Sequence, residues 1–243
     1  MNRMEFLSPE GLRLDGRRPR ELRQLRCKMA PVDSGDGSAF FEMGNSKVLA
    51  VVYGPREPAQ RGQLQQDRAT VTCDYSMSSF STGERRKRMK GDRRSTEAAL
   101  VLRQTLESAI LTELYPRTQI HICIQVLQAD GGQQAVGLNA AVMALVEAGI
   151  ALRDLVACST CGYLDATPLL DLNYTEDGGG GPNVQLALHP ALDKVVLLQT
   201  EDRLRLEVFE QVLDLAMDGC RTIARFMKET AVAHAKELAV ARA

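Results

Sequence analysis

Short apolar stretches of alternating period, closed by glycine turns and followed by a helix-length apolar stretch, occur in both halves of this chain. That pattern restricts the fold more than any other feature. In the first half, Ala39 to Asn45 and Lys47 to Gly54 flank the turn Gly44-Asn45, a hairpin signature. Ala69 to Tyr75 alternates Val71, Cys73 and Tyr75, and Ile120 to Leu127 reads as another strand. Between these strands, Ser95 and Thr96 suit a helix N-terminus. Leu100, Leu102, Leu106, Ile110 and Leu114 then recur at helical spacing until Pro116 stops the run. A second helix, Gln133 to Glu147, is rich in Ala, Val and Leu. The second half predicts strands over Leu155–Leu164, Leu169–Asn173, Val184–Leu188 and Lys194–Gln199, and a last helix from about Glu207. Strands then helices, twice, imply an α+β sandwich of two related halves. No low-complexity linker separates them, so residues 1–243 are expected to act as a single domain.

Composition removes several alternatives. The net charge is −1, so any nucleic-acid contact has to come from a local patch. Tryptophan is absent and aromatics make up 5%, which argues against an aromatic stacking platform for bases. The six cysteines are scattered, mostly among apolar residues, as buried thiols in a reducing compartment would be. Cys158 and Cys161 form a C-x-x-C, but a second ligand pair at zinc spacing is missing, and His121, His189 and His234 stand apart in sequence. Met1 to Glu5 is charged with no apolar stretch behind it, so no signal peptide is expected. No run approaches membrane-spanning length, and no membrane partner is expected.

Three places carry chemical potential. The first is Asp171 and Asp177, at the end of an apolar run and just before Gly178 to Gly181. With Leu170 and Leu172 facing a core, Asp171 is expected on the opposite face of the strand, where such acids do acid–base work, hold a divalent metal, or simply form a solvated turn. The second is the basic stretch from Arg85 and Arg86 through Lys90 to Arg93 and Arg94, opposed within it by Asp92 alone. A stretch of this kind is usually a solvated loop. Arg93 and Arg94, however, abut a helix N-terminus, where amides and helix dipole favour anions and arginine forks onto phosphate. The third is Asp130-Gly131-Gly132, between a strand and a helix; it is a plain turn or a close backbone approach to an anion, and it lacks the GK[ST] ending of a P-loop.

Taken together, the motifs resemble one family over nearly the whole chain. They are Arg13-Leu14-Asp15-Gly16-Arg17-Arg18, Asp36-Gly37-Ser38-Ala39, Gly44-Asn45-Ser46-Lys47-Val48 and Tyr53-Gly54-Pro55-Arg56-Glu57. Phe80 to Arg85, Asp92 to Ser95, Gln125 to Gly132 and Leu170 to Asp177 complete the set. The sequence is similar to the RNase PH family of phosphate-dependent 3′→5′ exoribonucleases, and within it to exosome ring subunits of the ribosomal RNA-processing type, with a plant or algal flavour. The resemblance implies an RNase PH-like (ribosomal protein S5 domain 2-like) β-α sandwich. It implies that Arg93 and Arg94 grip the RNA 3′ end and the attacking phosphate. Asp171 is implied as the acid near the scissile linkage, and Asp177 as a second carboxylate acting with it through Mg2+. Inorganic phosphate is the implied co-substrate. The implied partners are RNA, other RNase PH-type subunits in a hexameric ring, S1/KH cap proteins and an associated hydrolytic nuclease, in nucleus, nucleolus and cytoplasm.

One motif departs from the family pattern. Active members follow Gly-Gly with Thr-Arg-Ser or Thr-Arg-Thr; here Gln133, Gln134 and Ala135 follow Gly131 and Gly132. Two hydroxyls and a cation are replaced by groups without charge. Losing a charged hydrogen bond to an anion typically costs about 1.5–3 kcal/mol, or one to two decades. Weakened or absent phosphorolysis is therefore expected. The alternatives are an inert, RNA-guiding ring subunit lined by Arg85, Arg86, Arg93 and Arg94, and a free-standing tRNA-trimming homohexamer.

Overall fold

Helix α2 (Gln133–Glu147) is the element around which the rest is arranged, and every residue from Ala135 to Leu145 is buried. A helix apolar on all sides has to be enclosed, and α2 lies between two sheets, against β2 (Gly37–Met43) and β3 (Ser46–Arg56) of the first and β6 (Ala157–Leu164) of the second. The computed structural model describes residues 6–58, 65–85, 92–200 and 202–242. Its first sheet has the order β1-β2-β3-β5-β4, with β1 at Leu25–Met29, β4 at Thr70–Met77 and β5 at Gln119–Gln128. Only β4 and β5 pair in parallel there, joined by the crossover through α1 (Arg93–Ala109), which packs on β4. The second sheet is antiparallel, in the order β7-β6-β8-β9, with β7 at Thr167–Leu170, β8 at Asn183–His189 and β9 at Lys194–Thr200. Helix α4 (Leu206–Arg242) covers β6, β7 and β8.

One continuous buried core joins both halves, from Phe41 and Ile122 of the first sheet through Leu138 to Leu186 and Ile223. A small satellite cluster of Phe6, Leu164, Leu169 and Leu172 pins the N-terminal segment to the end of β7. Among the described residues no helix is long and apolar enough to cross a membrane.

Several sequence expectations shift. Helix α1 begins at Arg93, so Arg93 and Arg94 are its first two residues, with Asp92 as N-cap. It ends at Ala109, and a single 3-10 turn, Thr112–Leu114, follows. Pro116 therefore does not stop it; Ile110 takes extended backbone and forms a bridge with Leu152 that draws the chain away. Strand β1 was hidden in a polar, Arg-rich stretch whose alternation buries only its inner residues. Strand β7 ends at Leu170, three residues before the expected limit. Asp171 has φ 56°, in the left-handed region that a short polar side chain tolerates better than most. That turn overrides strand alternation: Leu170, Asp171 and Leu172 are all buried, and Asp171 does not lie on an exposed face.

Candidate functional site

The two halves meet at a clamp built by two arginines from the N-terminal segment. Arg23 is buried and spans the gap between the end of β7 and the Asp130-Gly131-Gly132 turn. Its Nε donates to Asp171 Oδ2 at 2.9 Å and its Nη2 to Asp171 Oδ1 at 2.7 Å, while its backbone N–H also donates to Oδ2. The same guanidinium donates to the carbonyls of Asp130 and Gly131 and to Ser46 Oγ. Burial opposes the charge on Arg23, but the bonds to Asp171 outweigh it and hold the guanidinium more firmly protonated than usual. Arg17 Nη1 stands 3.7 Å from Asp171 Oδ2, adding a second positive charge.

Arg13 braces the next turn. Its side chain and that of Glu176 are both fully buried and ion-paired; Nε donates to Glu176 Oε1 at 2.8 Å, and Nη2 donates to the Asp171 carbonyl at 2.9 Å. Glu176 also accepts from the Asn173 backbone, and Asn173 Oδ1 accepts from the Glu176 backbone. This reciprocal capping box opens the one-turn helix α3 (Tyr174–Asp177). Its signature, Asn-x-x-Glu, is visible in the sequence; the partners Arg13 and Arg23, 163 and 148 residues away, are not.

The glycine turn is seated on the same backbone. Gly131 has φ 77°, and a Cβ there would collide with the Leu172 carbonyl and the Asn173 backbone. Asp130 Oδ1 accepts from Tyr174 N at 3.2 Å. Gly132, at φ 61°, is the N-cap of α2, and among the described residues no side chain caps that end. Thr160 Oγ1 lies beside Gly132 and is buried with no hydrogen-bond partner among the described residues. An open cleft of about 410 Å3 runs past this junction, lined by Arg17, Arg23, Asn45, Asp130, Asn173 and Thr175 among others.

The expected site residues thus separate into groups. Asp171, Gly131, Gly132 and the α2 N-terminus with Gln133 and Gln134 come together around Arg23. Asp177 ends α3 and is exposed; its Oδ1 accepts from Asn183 Nδ2 at 2.6 Å. Although the residue as a whole is exposed, its carboxyl is partly buried, which raises it above the usual aspartate range, partly offset by that bond. Arg93 and Arg94 are exposed on the first turn of α1, and no described hydrogen bond or ion pair ties them to the clamp. Arg85 is exposed as well, whereas Arg86, with Lys87 to Gly91, lies outside the described residues.

Both oxygens of Asp171 are taken by Arg23, so a Mg2+ ion shared by the two aspartates would have to displace the guanidinium. The pair as it stands fits such an ion poorly, and Asp177 alone has a carboxylate oxygen to offer. At the α2 N-terminus the backbone N–H groups are available to an anion, but the turn behind them is Gln133-Gln134-Ala135, with no cationic side chain.

Residues 21–151 match the model of domain 1, and residues 154–219 that of domain 2, of the 3′ exoribonuclease family, RNase PH. The chain is 54% identical over 241 residues to the exosome complex component RRP41 homolog of Arabidopsis thaliana, covering 99% of this chain and all of the relative. It is 47% identical to exosome complex component RRP41 of Mus musculus, covering 98% of this chain and 97% of that protein. Rice (Oryza sativa) Rrp46 superposes with TM-score 0.80 at 28% identity, over 90% of this chain and all of that one. A chain of the Archaeoglobus fulgidus exosome with RNA bound to the active site gives TM-score 0.75 at 20% identity, over 88% and 92% of the two chains, a likeness of fold.

Proposed function

The chain belongs to the 3′ exoribonuclease (RNase PH) family, and on that premise we propose that it is an RNA-contacting subunit of an exosome core ring whose own phosphorolytic site is crippled. Full-length similarity to exosome components named RRP41 supports ring membership, with other RNase PH-type subunits as neighbours in a six-membered ring. The ring acts in 3′→5′ RNA processing and decay in nucleus, nucleolus and cytoplasm, S1/KH cap proteins feed RNA into it, and an associated hydrolytic nuclease cuts.

The observation that carries the catalytic half of this reading is the first turn of α2. The chemistry brings inorganic phosphate against an anionic backbone, which demands positive charge at the nucleophile. Here Gly132 presents backbone amides, while Gln133 and Gln134 offer neutral donors only. The Asp171 carboxylate, the implied acid, is neutralised by Arg23 and sealed at 1% exposure. Its role in this chain is to hold the junction between the halves. Asp177, exposed and with its proton affinity raised, is the carboxyl of the two that reaches solvent. Arg93 and Arg94 remain as exposed cations at a helix N-terminus and serve to hold the RNA backbone.

The test is assembly and RNA binding. Mixed with a second RNase PH-type subunit, the chain is expected to form a ring that binds 3′-tailed RNA. In the ring, Arg93→Ala/Arg94→Ala weakens binding and lowers the slope of log affinity against log salt by about 1.4, two phosphate contacts at roughly 0.7 each for single strands. A chain that closes into a ring without partners, or a double variant that binds RNA as the parent does, overturns the reading.

A further inference from the structure

We propose that Asp74, His121 and Cys123 form a binding site for a transition metal of the Zn2+ class on the outer face of the first sheet, remote in function from the arginine clamp. In the sequence the three histidines stand apart from any cysteine pair; the parallel pairing of β4 and β5 supplies the missing proximity. Asp74 lies opposite Cys123, and Thr72 opposite His121. Ile120, Ile122 and Ile124 point into the core, so His121 and Cys123 share the other face of β5. One ligand atom from each of Asp74, His121 and Cys123 lies within 4.8 Å of the others.

The ligand atoms stand near tetrahedral spacing, with the Nε2–Sγ pair a few tenths of an ångström short of it. His121 Nε2 is 3.1 Å from Cys123 Sγ and 3.5 Å from Asp74 Oδ2. Zn–N near 2.0–2.1 Å and Zn–S near 2.3 Å at tetrahedral angles place ligand atoms roughly 3.3–3.6 Å apart. The Asp74 side chain is 76% exposed, so its carboxylate is free to swing the remaining distance. An imidazole, a thiol and one carboxylate suit Zn2+ or a neighbouring first-row ion and do not suit Mg2+ or Ca2+. Three protein ligands facing solvent leave the fourth position to water or to a donor from outside the chain.

Thr72 is placed to hold the ligating tautomer. Thr72 Oγ1 is 2.9 Å from His121 Nδ1. That hydroxyl accepts from Gln119 Nε2 at 3.1 Å and also lies 3.4 Å from the Ile120 carbonyl. With the hydrogen on Nδ1 donated to Thr72, the Nε2 lone pair faces Cys123 and Asp74, which is the tautomer a metal takes. Tyr53 stacks against the imidazole, with ring centroids 6.3 Å apart.

Metal-free full-length chain titrated with Co2+ tests this. One equivalent is expected to bind and to show a thiolate-to-cobalt charge-transfer band with the d–d bands of a tetrahedral site, and Zn2+ is expected to displace it. Cys123→Ser abolishes the charge-transfer band, and Asp74→Asn, an exposed change that leaves the fold intact, weakens uptake. Thr72→Val lowers affinity about 10–100-fold through loss of the orienting bond. Cys73→Ser, whose thiol faces the opposite side of β4, leaves the spectrum unchanged. No stoichiometric uptake, or a charge-transfer band that survives Cys123→Ser, overturns the proposal.

Discussion

Replacing Arg23 with methionine removes the charge that makes Asp171 tolerable inside the protein. Asp171 is 1% exposed, and the substitution takes away the bonds from Nε and Nη2 while leaving the backbone donor in place. The carbonyls of Asp130 and Gly131 lose their guanidinium partner at the same time. Breaking a buried ion pair by removing one partner costs about 3–5 kcal/mol, because the survivor is left as an uncompensated charge. Arg17 Nη1, at 3.7 Å, offsets a fraction of that and places the expectation near the lower end of that range, about 3 kcal/mol. Urea unfolding followed by circular dichroism measures it: with m near 3 kcal/mol/M, the midpoint falls by about 1 M. Arg23→Met/Asp171→Asn restores a large part of the loss, with a coupling energy of about 2 kcal/mol, within the range seen for contacting residues. Two outcomes refute the reasoning: an Arg23→Met loss below about 1 kcal/mol, or a double variant that loses the sum of the two singles.

Two further outcomes follow from the same junction. Gly131→Ala places a Cβ against the Leu172 carbonyl at φ 77°, so it is expected to destabilise by more than the roughly 1–2 kcal/mol of left-handed strain alone; a melting temperature within a degree of the parent would contradict the seating of this turn. Burial raises the Asp177 carboxyl in the folded chain above its unfolded value, so ionising it disfavours folding; that penalty is absent below the unfolded pKa and grows as pH rises through the folded one. Asp177→Asn is therefore expected to raise the melting temperature at pH 7 and to lose that advantage at about pH 3, below the ordinary aspartate value, and a gain that is independent of pH counts against it.

The layers of the fold were legible because period-two and helical patterns follow directly from burial. The boundaries of α2 and the hairpin turn at Gly44-Asn45 are where the pattern places them. Strand β1 was not, since only one side of Leu25–Met29 is buried and the flanking arginines mask it. The end of α1 was misplaced because the helical spacing of apolar residues continues past Ala109, while a bridge to Leu152 takes over the backbone. At the site, the composition of the acid segment and the capping-box spacing of Asn173 and Glu176 could be read locally. The burial of Asp171 could not, because it depends on a left-handed turn and on an arginine 148 residues away. The metal ligands escaped for a similar reason: parallel strand pairing, which no local spacing encodes, brings Asp74 to Cys123.

Release of nucleoside diphosphate from a 3′-tailed RNA by the assembled ring, with and without phosphate, tests the central claim most directly. The parent ring is expected to turn over slowly, and Gln133→Thr/Gln134→Arg, which returns a hydroxyl and a cation to the first turn of α2, is expected to raise the phosphate-dependent rate by one to two decades, the equivalent of about 1.5–3 kcal/mol. A parent ring that releases nucleoside diphosphate in a phosphate-dependent way as fast as the double variant would show that the amides of Gly132 and its neighbours suffice for phosphate, and that the site is not crippled; a double variant no faster than a slow parent would show that Gln133 and Gln134 are not what limits it.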